Sequence, residues 1–196
     1  MPTSKTGNPW TTLLSKPVYE NPWIKVDEHD VLNPRGKPGI YGVVHFKSRA
    51  TGVVPIDDDG CTYLVGQYRY VHHAYSWEIP EGGGRLDEAP QAAAERELLE
   101  ETGLTAGRWL EILQADLSNS VTDERSWAFV AWDLQQGIAE PEDTEDLQVR
   151  RVPFSEALGM AMRGEMRDAL AMISLFKLKL LADAGQLPKD LMERLR

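Results

Sequence analysis

The chain has 196 residues, 42% of them hydrophobic, and 31 Asp and Glu against 21 Lys and Arg, for a formal charge of -10. That length supports one domain with a real core plus a small extension, and two full-size domains are excluded. The acidic balance excludes a long polyanion such as duplex nucleic acid as partner, because no basic excess exists to displace phosphate counterions.

Cys61 is the single cysteine, so no intrachain disulfide and no Cys/His zinc cluster are available. The expectation is a reducing, cytoplasmic setting. Met1 to Trp10 lacks an apolar secretory segment and no run of 18 apolar residues occurs, so no membrane association is expected. The six tryptophans are read mainly as core or interface residues.

Between Val18 and Val31, β-branched and aromatic residues alternate with polar ones, and Asn33-Pro34-Arg35-Gly36 follows as turn chemistry. With Ile40 to Phe46, these segments predict a small antiparallel sheet. Gly52 to Ile56 predicts a strand ending at the Asp57-Asp58-Asp59-Gly60 turn, with Thr62 to Tyr70 pairing back as in a hairpin. Trp77-Glu78-Ile79-Pro80 leads into Gly82-Gly83-Gly84, and Asp87 to Thr102 is rich in Ala, Glu, Leu and Arg. That composition predicts a helix, with Asp87 as N-cap, Pro90 in the first turn and Gly103 as a left-handed C-cap.

Trp109 to Ala115 and Ser126 to Leu134 predict strands, the second buried, and Gln135 to Asp146 predicts an acidic loop. Leu147 to Val152 is a further strand. Ser155 is the expected cap of a helix reaching about Arg163, and Met166 to Ala184 predicts another with apolar positions suited to packing on a sheet. The order strands, helix, strands, helices predicts an α/β/α sandwich on a mixed central sheet. The boundaries expected are 1–46 for the N-terminal strands and 47–196 for the main domain.

On the predicted helix, Glu97, Glu100 and Glu101 stand at i, i+3 and i+4, which puts three carboxylates on one face. Two readings compete: a solvated face where water and salt screen the repulsion, or a site where a hard cation reverses its sign. The surroundings decide for the cation. From Gly82 the chain runs five residues to Glu88, seven more to Arg96-Glu97-Leu98, then past one residue to Glu100-Glu101 and past another to Gly103-Leu104. Seven fixed identities and two apolar positions arise by accident on the order of once in a billion start points. Gly82 and Gly83 let the backbone approach a ligand closely, and Arg96 supplies a guanidinium fork that can orient the glutamates.

This pattern resembles the Nudix box of the Nudix hydrolases. Gln67-Tyr68-Arg69-Tyr70, Trp77-Glu78-Ile79-Pro80-Glu81-Gly82-Gly83 and Gly164-Glu165-Met166-Arg167-Asp168-Ala169 are similar to the ADP-ribose and nucleotide-sugar pyrophosphatase branch. The resemblance implies that Glu97, Glu100, Glu101 and the main-chain carbonyl of Glu81 bind Mg²⁺ or Mn²⁺, with Glu88 holding the loop–helix geometry. It further implies hydrolysis of the diphosphate bond of a nucleoside diphosphate sugar of ADP-ribose, ADP-glucose or GDP-mannose type. A general base is expected on the Glu140 to Asp146 loop, at Glu142 or Glu145, whose side chains reach farther than that of Asp143.

Arg69 is the expected phosphate contact, Glu78 the acceptor of a ribose or sugar hydroxyl, and Trp23 a base-stacking ring on the N-terminal strands. The resemblance also implies a homodimer through those strands. Where ADP-ribose-specific relatives carry a proline beyond the box, and enzymes of diadenosine polyphosphates a tyrosine, this chain has Leu117-Ser118-Asn119-Ser120. That shifts the expectation toward nucleotide sugars such as GDP-mannose or a broader set. The rivals are a hydrolase of dinucleoside polyphosphates or RNA 5' ends, and a non-catalytic nucleotide-sugar sensor.

Overall fold

In the computed structural model, which describes residues 7–139 and 146–195, the N-terminal alternation becomes three antiparallel strands in the order β1-β2-β3. They are β1 (Thr11–Glu20), β2 (Ile24–Leu32) and β3 (Pro38–Phe46). Strand β1 starts before the alternation does and carries Pro17, which an edge strand tolerates because one side of its backbone has no ladder to complete. The β2–β3 turn is built as its residues dictate. The Asn33 side chain accepts from the Arg35 and Lys37 amides at 2.9 and 3.1 Å, and Gly36 takes a left-handed φ of 74°.

The sheet belongs to one compact unit, residues up to Ser48 together with Ser118–Glu124, and the remainder of the chain forms a second. Within the first unit, the Ser118–Glu124 segment is strapped to β3. Val44 donates to the Val121 carbonyl at 2.9 Å, Phe46 to the Asp123 carboxylate at 3.0 Å, and His45 Nδ1 lies 2.6 Å from that carboxylate.

The second unit is built on β4 (Ser48–Pro55), β5 (Cys61–Arg69), β6 (Ala74–Glu78), β7 (Glu81–Arg85), β8 (Leu104–Asp116), β9 (Arg125–Gln136) and β10 (Gln148–Pro153). Its helices are α1 (Pro90–Thr102), α2 (Phe154–Met162), α3 (Ala169–Asp183) and α4 (Lys189–Arg194). The strands form a four-stranded sheet ordered β7-β4-β9-β8, in which β4 and β9 run parallel, and an antiparallel sheet ordered β10-β5-β6.

The expected β4–β5 hairpin is therefore corrected. The Asp57–Gly60 turn has the expected chemistry, with Asp57 accepting from the Asp59 and Cys61 amides and Gly60 at φ 73°, yet it carries the chain from one sheet to the other. Partner choice was decided by β9, whose apolar run offers β4 a continuous parallel neighbour from Ala50↔Ser126 to Pro55↔Ala131.

A period of two divides the four-stranded sheet into two faces. In β9, Phe129 and Ala131 pack with Val53, Ala94 and Leu98 beneath α1, whereas Ala128, Val130 and Trp132 enter the larger core with Val54, Leu170 and Leu175. Helix α1 thus covers one face and α3 the other, which is the sandwich predicted.

Three helix starts differ from expectation. Helix α1 begins at Pro90 after Ala89, because both Asp87 oxygens are held by Arg85 and a proline at the first position has no amide to cap. Helix α2 begins at Phe154 after Pro153, leaving Ser155 inside the first turn. Helix α3 begins at Ala169, where Asp168 accepts from the Ala171 amide at 2.7 Å. Among the described residues, no helix is long and apolar enough to cross a membrane.

Leu98 is fully buried and fixes the acidic face of α1 against the sheet. Leu98→Ala is expected to lower unfolding free energy by about 2–5 kcal/mol through lost burial and a residual cavity. Chemical denaturation followed by circular dichroism reads this directly.

Candidate active site

The glycine run forms an edge strand, β7, so its backbone lies flat against the start of α1. A Cβ on Gly84 would stand 2.7 Å from the Ala93 methyl, and one on Gly82 would collide with the Glu97 carboxylate. Two glycines therefore admit the helix, and the second admits its charge. Gly103 closes α1 at φ 71°, donating to the Leu99 carbonyl at 2.8 Å.

Arg96 binds this junction together. Its Nη1 donates to Glu97 Oε1 at 2.8 Å and Glu100 Oε2 at 2.7 Å, Nη2 to the Gly83 carbonyl at 3.2 Å, and Nε lies 3.6 Å from Glu88 Oε1. Burial opposes the charge of this guanidinium, but Glu97 and Glu100 raise its pKa. Glu88 accepts from the Arg85 amide at 3.2 Å, and its carbonyl takes Arg49 Nη1 at 3.2 Å, so it holds the entry to the helix.

Two of the three helix glutamates are buried, and Glu100 is partly exposed. Glu97 is 9% exposed and Glu101 3%, and Glu101 Oε2 accepts from the Glu81 amide at 3.0 Å. Glu81 adds its own carboxyl to this anionic surface. Burial first, then the charges of Asp168 and Glu78, push its pKa well above the ordinary carboxylate range, with Arg69 opposing. Glu81 Oε2 is buried without a hydrogen-bond partner.

Buried like charges and an orphaned oxygen fit a hard divalent cation, and every donor at hand is a carboxylate or carbonyl oxygen. Among the described residues, no three Asp, Glu, His or Cys side chains yet converge at ligand spacing, while Arg96 occupies oxygens of Glu97 and Glu100.

Beside Glu81 opens a cleft of about 760 Å³, lined among others by Arg69, Glu78, Tyr68, Tyr75, Arg167 and Asp168. Arg69 grips the buried Glu78 from Nε at 3.0 and 3.1 Å and also through Nη2, which reaches Glu81 Oε1 at 3.5 Å. Burial works against the Arg69 charge, and the hydrogen bonds and negative charge of Glu78 raise its pKa. Both Glu78 oxygens are thus engaged within the protein.

The structure brings Arg69, Glu78, Glu81, Gly82, Gly83, Arg96, Glu97, Glu100 and Glu101 together in the second unit. Trp23, 71% exposed, belongs to the first. Glu142 and Glu145, the expected bases, lie outside the described residues, as does Asp143. Sequence reasoning quoted Arg167, Asp168 and Tyr68 within segments similar to the pyrophosphatase branch but gave them no role, and it passed over Tyr75. Asp168 was findable as a capping residue, three positions before Ala171 at the head of an apolar run.

Residues 46–173 match the family profile described as NUDIX domain, and residues 10–44 match that described as Nucleoside diphosphate sugar hydrolase N-terminal domain. An ADP-ribose pyrophosphatase of Mycobacterium tuberculosis is 33% identical over 135 residues, covering 66% of this chain and 63% of that protein. The chain therefore spans less than two thirds of that relative's length. An ADP-ribose pyrophosphatase of Bacillus subtilis is 29% identical over 160 residues, covering 81% of this chain and 86% of that protein. A crystal structure of an ADP compounds hydrolase superposes with a TM-score of 0.82 at 24% identity, covering 94% of this chain and 100% of that one, and so shares its fold.

The raised Glu81 pKa has a defined stability sign. A carboxyl whose folded pKa exceeds its unfolded value contributes stability only at low pH and loses it as pH climbs past about 4.5. Without divalent ions, Glu81→Gln is therefore expected to be more stable than the parent at pH 7 and equal to it near pH 4. Paired urea titrations at the two pH values, in chelator, measure the difference.

Proposed function

Because the chain belongs to the NUDIX family, we propose that it hydrolyses the diphosphate bond of nucleoside diphosphate sugars, releasing a nucleoside monophosphate and a sugar phosphate. The observation that carries the reading is the burial of Glu97 and Glu101 on one helical face, beside the orphaned oxygen of Glu81. Such crowding is costly in a bare protein and favourable around a cation.

In this reading Glu97, Glu100, Glu101 and the Glu81 carbonyl hold Mg²⁺ or Mn²⁺, whose chemistry is to neutralise phosphate oxygens and make a bound water acidic. Arg96 keeps Glu97 and Glu100 aligned. Glu88 and Gly103 fix the two ends of the helix, and Gly82 and Gly83 leave backbone close to the diphosphate. The attacking water forms a new P–O bond as the bridging P–O bond breaks, and its proton passes to Glu142 or Glu145.

Arg69 has its Nε and Nη2 engaged by carboxylates, which leaves Nη1 alone as the donor it can offer the substrate's phosphate or terminal group. Glu78 acts by holding Arg69, and through its second lone pairs can receive a sugar hydroxyl. Trp23 offers a stacking ring for the base.

The partner assigned to the N-terminal strands is a second copy of the chain. Every residue of β1 is exposed, and Leu13, Leu14, Val18 and Tyr19 present apolar area that a three-stranded sheet has little core to bury. Dimers at low micromolar concentration in sedimentation velocity are expected, and monomer alone would refute this assignment. A small acidic hydrolase of the cytoplasm, without nucleic acid or membrane partners, completes the reading.

The test is monophosphate release from ADP-ribose, ADP-glucose, GDP-mannose, UDP-glucose, a diadenosine polyphosphate and capped RNA with Mg²⁺. Turnover confined to the nucleotide sugars is expected. Glu97→Gln should abolish it, and Glu142→Gln or Glu145→Gln should slow it by about 100-fold or more. Binding without turnover would make the protein a sensor instead.

A further inference from the structure

The charges around the cleft are almost all spent within the protein. Arg69 is committed to Glu78 and Glu81. Glu165 is committed to Arg163, whose Nε and Nη2 reach its two oxygens at 2.6 and 3.3 Å. Asp168 gives Oδ1 to the Ala171 amide. Arg167 lines the same cleft, is exposed, and among the described residues its side chain makes no hydrogen bond or ion pair.

An anionic ligand entering here meets a wall of carboxylates, since Glu78, Glu81 and Asp168 all stand at or beside the cleft. Arg69, the cation beside Glu78 and Glu81, is already paired with both, so little positive charge is left over for a phosphate group. Of the two arginines of the lining, Arg69 keeps one nitrogen uncommitted, whereas Arg167 has no partner among the described residues. It carries a planar fork of donors suited to two phosphate oxygens, on the residue before the cap that starts α3. Its backbone is therefore fixed, while its side chain has no partner among the described residues.

We propose that Arg167 is a substrate-binding residue that takes the diphosphate of the ligand and makes the cleft select diphosphate-bridged nucleotides over uncharged nucleosides. This rests on the reading of the site as one for nucleoside diphosphate sugars. It adds a cation that the box and its glutamates do not provide.

The experiment is calorimetric titration, with Mg²⁺ present, of the parent and Arg167→Ala with α,β-methylene-ADP, which cannot be hydrolysed at that bridge, and with adenosine. Loss of a charge-assisted contact of about 1.5–3 kcal/mol corresponds to a weakening of about 10-fold or more for the methylene diphosphate. Adenosine should bind both proteins alike, which also shows that the variant's cleft is intact. Equal affinity of the two proteins for the diphosphate, equal losses for both ligands, or a parent that binds neither would each overturn the inference.

Hydrolysis of the nucleotide-sugar panel decides the underlying reading separately. A parent that turns over nucleotide sugars while Arg167→Ala binds normally sinks only the role of Arg167. Selective loss of diphosphate binding in a protein with no such turnover sinks only the reading.

Discussion

The Glu97 carboxylate rests on Gly82 at a place where any side chain would fill its position, and the rest of the site follows from that contact. With no Cβ in the way, α1 can press against β7, and Arg96 can span from Glu97 to the Gly83 carbonyl in one side chain. The closeness has a cost, because it brings Glu97, Glu101 and Glu81 together where water is scarce. Cores rarely accept several acidic side chains side by side, and a surface that concentrates them suits a cation.

The same contact explains why the glycine run is a strand. A loop would leave the backbone groups of Gly82 to Gly84 free to wander, whereas an edge strand fixes them beside β4 and directs the Glu81 amide at Glu101. Glu81 then has two engagements. Its amide serves the helix face and its carboxyl reaches Arg69, which in turn grips Glu78. A disturbance at Arg69 therefore passes through one residue to Glu101, linking cleft and acidic face by hydrogen bonds rather than by proximity alone.

Much of this was legible in the sequence, for local reasons. The spacing of Glu97, Glu100 and Glu101 guarantees a shared face on any helix, Gly103 marks the helix end, and Asn33 to Gly36 carry their turn chemistry in their own side chains. What could not be read depends on partners distant along the chain. Asp57 to Gly60 has the same residues whether it closes a hairpin or moves the chain between sheets, and the choice was made by β9, some seventy residues later. Asp87 has the chemistry of a cap, but Arg85 claims both its oxygens first. Burial of Glu97 and Glu101 was likewise invisible, since an i, i+3, i+4 pattern of glutamates has the same spacing in water as against a strand.

The charge economy of the cleft has a consequence for how such a site discriminates. Where a cation is locked to a buried acid, an incoming phosphate must break that pair to be bound, and the desolvated partner left behind offsets the gain. Arg69 illustrates the difficulty: moving it toward a ligand would strip Glu78, 3% exposed along its side chain, of its counter-charge. Its value is as a fixed wall with one free edge. Recognition that needs a mobile or unsatisfied donor must then come from the rim, where a guanidinium can be held ready in water at little cost and desolvated only when the ligand arrives. Buried acids that suit a cation and a rim guanidinium that suits an anion are complementary halves of one electrostatic design, and only the buried half is strained without the ligand it opposes.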